Sequence, residues 1–139
     1  MARVELSLWI DRPPEDVFAY LTDLRRLHDW QPATQDVRVE DESRYTQVLR
    51  VMGKTIESHI HVTDRNPPNR FAIQTHGGPV DFSVVHELED ERGGTRLRIE
   101  GEGEATGVFR LGGGAAVKAA EHELRRSFER LKKVLESAR

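Results

Sequence analysis

The chain is 139 residues long, with a formal net charge of −3 and an isoelectric point near 6.1. That length predicts one domain over residues 1–139 with a sizeable core, and the slightly acidic balance leaves no electrostatic footprint for nucleic acid. No cysteine is present, so disulfides, thiolate nucleophiles and cysteine-ligated metals are excluded.

Arg3 to Ile10 alternates, with Val4, Leu6, Leu8 and Ile10 on one parity and Glu5, Ser7 and Trp9 on the other. This is the pattern of a half-buried strand. Trp9 on the polar parity covers an edge of the domain, joins a dimer contact or stands exposed alone; a homodimer therefore stays open. The N-terminal stretch carries Glu5 and no small-residue cleavage site, and no apolar run approaches the roughly 18 residues of a membrane span. The expectation is a cytoplasmic protein without integral membrane association.

Pro14 suits a first helical position, and Glu15 and Asp16 favour the first turn. Val17, Tyr20, Leu21 and Leu24 follow at helical spacing, and Thr22-Asp23 starts a second short helix through Leu27. His28 to Pro32 then leaves the helices. Six strands are predicted at roughly 35–42, 45–52, 55–64, 70–76, 80–89 and 95–104, joined by short loops rich in glycine, proline, asparagine and aspartate. Short strands with short loops favour an antiparallel meander over parallel βαβ units.

Parity marks the inner face. Ile56, Ile60 and Val62 share one side of their strand. Phe71, Ile73 and Thr75 do so on the next. Val80, Phe82, Val84, His86 and Leu88 form a third set, and Leu97, Ile99 and Gly101 a fourth. Arg96, Arg98, Glu100, Glu102 and Glu104 take the opposite, solvent side. Gly101 to Gly114 is the most irregular stretch; its Val108, Phe109 and Leu111 either tuck against the domain or flap over a cavity mouth. From Val117 to Arg139 the apolar residues Val117, Ala120, Leu124, Phe128, Leu131, Leu135 and Ala138 recur every three or four positions. They form one stripe of a helix roughly 33 Å long, which needs a broad apolar sheet to lie on.

Little in the chain reads as chemistry. Glu57, His59 and His61 resemble metal ligands, but they sit on the wet parity of their strand, so no metal is expected. The triple glycine 112–114 lacks the Lys-Ser/Thr of a phosphate loop, and no serine stands in a nucleophile elbow. His86 points into the apolar interior. There it is either a satisfied core histidine or the one polar anchor of an apolar pocket; parity shows no catalytic partner for it.

Pro14-Glu15-Asp16-Val17-Phe18 after the first strand, Trp30-Gln31-Pro32, Gly93-Gly94-Thr95-Arg96 before the last strand, and Leu131-Lys132 with Leu135-Glu136 near the end resemble the SRPBCC superfamily. This group is also called START-like or Bet v 1-like, and the likeness is to its small bacterial proteins of polyketide cyclase/dehydrase type. The resemblance covers essentially the whole chain and implies an α+β helix-grip fold. In that fold a seven-stranded curved antiparallel sheet wraps a long C-terminal helix, two short helices follow strand 1, and a deep apolar cavity lies between sheet and helix. It further implies binding of a hydrophobic small molecule, lipid-, polyketide- or quinone-like; the alternative is a polyketide cyclase/dehydrase (aromatase)-type enzyme using the same cavity. Trp30, Phe71, Ile73, Phe82, Val84, His86, Phe109, Leu124 and Phe128 are the expected ligand-binding residues. No cofactor is expected, and no residue is assigned a catalytic role.

Overall fold

The computed structural model of the chain describes residues 2–51, 53–78, 80–105 and 114–137. Strand β1 (Ala2–Ile10) leads into helix α1 (Pro14–Thr22), a 3-10 turn (Leu24–Arg26) and the short helix α2 (Leu27–Trp30). Strands β2 (Thr34–Asp41), β3 (Arg44–Val51), β4 (Lys54–Asn66), β5 (Arg70–His76), β6 (Val80–Glu91) and β7 (Gly94–Ala105) follow, and helix α3 (Ala115–Ser137) closes the described chain. The seven strands form one antiparallel sheet in the order β1-β7-β6-β5-β4-β3-β2. This is the helix-grip architecture the resemblance implied. Register shifts in β2 and in β4 at Val62/Asp64 add residues on one side of the ladder, which bends the strands.

Three local expectations are corrected. His28 to Trp30 does not leave the helices: Leu27–Trp30 makes one helical turn, closed by Gln31 N–H donating to Leu27 O at 2.7 Å. Residues 101–105 complete β7, in line with the strand expected over 95–104 and not with the irregular stretch expected from Gly101. The long helix starts at Ala115, two residues before Val117, and Gly114 ahead of it takes a φ of +87°, a left-handed value suited to glycine.

Trp9 covers an edge. Its indole N–H donates to Glu91 O at 2.8 Å, and a Cβ placed on Gly94 would lie 2.6 Å from the indole ring.

The core is thickest at the end of the sheet under α1 and α2. Ile10, Val17, Leu88, Leu97, Ile99, Leu131 and Leu135 are almost wholly buried there. The C-terminal half of α3 is fastened to the end of β1. Arg12 Nη1 donates to Leu135 O at 3.0 Å, Lys132 Nζ to Trp9 O at 2.5 Å, and the Asp11 N–H to Glu136 Oε2 at 3.1 Å. The carbonyls of a last helical turn have no partner within the helix, so a cation there satisfies them and opposes the negative end of the dipole. Arg12→Ala should therefore lower stability by about 1–2 kcal/mol and speed amide exchange in the last turns of α3 more than anywhere else; uniform exchange would show that Arg12 is not a fastener.

Candidate functional site

Between the sheet and α3 lies a cavity of about 190 Å³. Its floor follows from strand parity. Tyr45, Ile60, Thr75 and Phe82 form one row across four strands; Ile73 and Val84 form the next, and Phe71 and His86 the next. On the other side of the Tyr45 row, Gln47 faces Ser58 and Leu49 faces Ile56. Ala120, Glu123, Leu124, Ser127 and Phe128 of α3 roof it, and Leu27, Trp30 and Gln31 wall one side.

Trp30, Phe71, Ile73 and Phe82 all line this cavity, as do Val84, His86, Leu124 and Phe128. Phe109, with the flap expected at Val108 and Leu111, lies outside the described residues. Glu57, His59 and His61 are exposed on the outer face; His59 Nδ1 is hydrogen-bonded to Thr46 Oγ1 at 2.9 Å, and Arg38 Nη1 donates to Glu57 Oε1 at 2.9 Å.

The polar lining is richer than parity suggested. His86 is not the one polar group: Tyr45, Gln47, Ser58, Thr75 and Ser127 also face the cavity. Of these, Thr75 already stood on the inner parity with Phe71 and Ile73, and Ser58 is legible too, since it falls between Ile56 and Ile60 on the same parity. Ser127 sits beside the helical stripe rather than within it, and no periodicity marks it. Several of these groups are already engaged. Thr75 Oγ1 accepts from Phe82 N at 3.1 Å, and Gln47 Nε2 donates to Gln31 Oε1 at 2.5 Å and to Thr34 Oγ1 at 2.6 Å. Burial pushes the Tyr45 phenol up, so it stays protonated.

His86, only 4% exposed, lies in an aromatic nest. Its ring centroid is 5.5 Å from that of Phe71 and 5.6 Å from that of Phe128, and Phe128 stands 5.3 Å from Trp30. Its Nδ1 is 2.8 Å from Phe71 O. Burial drives the imidazole pKa down to about 4, and the hydrogen bond to Phe71 opposes only part of that shift. His86 is therefore neutral at pH 7. Trp30 Nε1 is sealed from solvent and has no hydrogen-bond partner among the described residues.

The chain from residue 1 to residue 136 matches the family described as polyketide cyclase/dehydrase and lipid transport. An uncharacterized protein of Mycobacterium tuberculosis is 26% identical over 136 residues, covering 93% of this chain and 95% of that protein. A START superfamily protein from Mycobacterium smegmatis has the same fold, with a TM-score of 0.81, 14% identity and 99% of each chain covered. Ara h 8.0201 superposes with a TM-score of 0.76 at 14% identity, over 98% of each chain. At these identities the solved structures speak for the fold, and fold together with family supports hydrophobic ligand binding in general. With the match spanning nearly the whole chain and the helix-grip architecture in place, the chain belongs to the polyketide cyclase/dehydrase and lipid transport family of the START-like, Bet v 1-like SRPBCC superfamily.

Proposed function

We propose that this chain, as a single cytoplasmic domain over residues 1–139, binds a hydrophobic small molecule of lipid-, polyketide- or quinone-like character between sheet and α3. No metal or other cofactor takes part. Trp30, Phe71, Ile73, Phe82 and Val84 supply apolar contact together with Leu124 and Phe128, and His86 supplies a polar anchor. The observation that carries this reading is the cavity itself, apolar through its middle rows and polar at a few fixed points. Its 190 Å³ also limits the guest. A void of about 150 Å³ lined by Leu, Ile and Phe takes benzene, so a single ring or the end of a chain fits without rearrangement.

The enzymatic alternative, an aromatase-type cyclase/dehydrase, draws support from the polar lining. Against it, a histidine with a pKa near 4 is a poor general base at pH 7, and His86 hydrogen-bonds to a carbonyl rather than to a hydroxyl nucleophile.

The test is a thermal melt with toluene and with indole, with and without a chelator. A ligand at a hundred times its Kd stabilises the folded state by about 2.7 kcal/mol, and the chelator should change nothing. Leu124→Trp should abolish the shift at modest cost in stability, because Leu124 is only partly buried and lines the cavity. An unshifted melt in the wild type, or a chelator-sensitive one, overturns the proposal.

A further inference from the structure

We propose that the ligand carries a hydroxyl, phenolic or alcoholic, whose O–H donates to His86 Nε2 at the end of the cavity formed by Trp30, Phe71 and Phe128. This rests on the hydrophobic-ligand reading above and adds to it the polarity and direction of the anchoring hydrogen bond.

The inference starts from the partner of the other ring nitrogen. Phe71 O is a backbone carbonyl and can only accept, so Nδ1, 2.8 Å away, carries the proton. A neutral imidazole has one ring proton, which leaves Nε2 a bare acceptor. The aromatic surroundings keep the ring neutral. Nε2 has no hydrogen-bond partner among the described residues, yet it is not sealed: the sealed, unpartnered side-chain atom among them is Trp30 Nε1. His86 lines the cavity, and in the proposed complex Nε2 is the ring atom that meets the guest.

That asymmetry selects the guest. A hydrocarbon seated against Nε2 would strip it of water and give nothing back. A ketone or ether would set lone pair against lone pair. A hydroxyl donates its proton to Nε2 and so satisfies the bare acceptor.

Titrations of p-cresol, its methyl ether and toluene at pH 7 test this in wild type, His86→Leu and His86→Gln. The extra methyl of the ether favours it roughly fourfold by burial alone, so wild type binding cresol more tightly than the ether is the expected result. In His86→Leu cresol should weaken about tenfold while the ether and toluene change less than threefold. His86→Gln keeps an acceptor oxygen and should retain the preference for cresol. Wild type preferring the ether, or a cresol-to-ether ratio unchanged in His86→Leu, overturns the proposal while toluene binding leaves the hydrophobic-ligand reading standing. Failure of all three probes overturns both. The comparison of cresol with its ether needs only the wild type, so the proposal can fail whether or not either variant folds.

Discussion

Phe128→Ala should lower the unfolding free energy by about 3–5 kcal/mol, on the order of 10–15 °C in Tm. Phe128 is 2% exposed and packs against the rings of Trp30 and His86, so its loss removes contacts that link α2, α3 and β6. One side of the ring already faces empty space, which places the expected loss toward the lower figure. Leu131→Ala, one turn further along α3 and fully enclosed, should cost a similar 2–5 kcal/mol for a different reason. The two separate on addition of a ring-sized probe. Phe128→Ala enlarges a cavity that a guest can enter and should regain part of its loss, whereas Leu131→Ala opens a closed void and should not. A Tm change under a few degrees for Phe128→Ala would show that this residue does not tie the helix to the sheet.

Acid should destabilise the protein through His86, with the loss building as pH falls from about 6.5 to about 4. In the unfolded chain the imidazole takes up a proton near pH 6.5, but in the folded chain only near pH 4. Between those values the unfolded state binds more protons, so stability falls as pH falls, by about 3 kcal/mol in total, and the effect is complete below pH 4. The Asp23 and Glu91 carboxylates, held below their usual range chiefly by hydrogen bonds from Arg25 and Arg96, add a separate loss only at the acidic end of that window. Urea midpoints from pH 7 to pH 4 should slope in wild type and lie much flatter in His86→Leu. Parallel slopes would mean that His86 takes up its proton in the folded state as readily as in the unfolded one.

The sheet's inner face is readable from sequence wherever one parity is apolar and the other charged, as in β7, where Leu97 and Ile99 alternate with Arg96, Arg98 and Glu100. Strand β3 is not. Its Tyr45, Gln47 and Leu49 face the cavity, but Thr46 and Val48 on the outer side are buried as well, because the Arg38–Glu57 ion pair reaches from β2 to β4 across them. With both faces covered, period-two patterning carries no sign. Trp30 is legible as an aromatic near the site, but a helix of four residues leaves no periodicity to detect. The tautomer of His86 is beyond any sequence argument, since it depends on a carbonyl 15 positions away, brought alongside by strand pairing.

The uneven seating of α3 has a kinetic consequence. Its second half is anchored by Leu131, Leu135 and the hydrogen bonds from Arg12 and Lys132, whereas in its first half the small side chain of Ala116 is buried and Ala120 and Leu124 are only half-buried above the void. Unwinding the first turns therefore breaks few packed contacts and leaves the core intact, so a guest can pass at the cost of local rather than global opening. Residence time then depends on helix propensity near Ala119 and Ala120, apart from affinity. Ala119→Gly, about 1 kcal/mol less helical, should raise association and dissociation rates together by roughly fivefold while Kd stays nearly fixed. A change in Kd without a change in rates would mean that guests enter elsewhere.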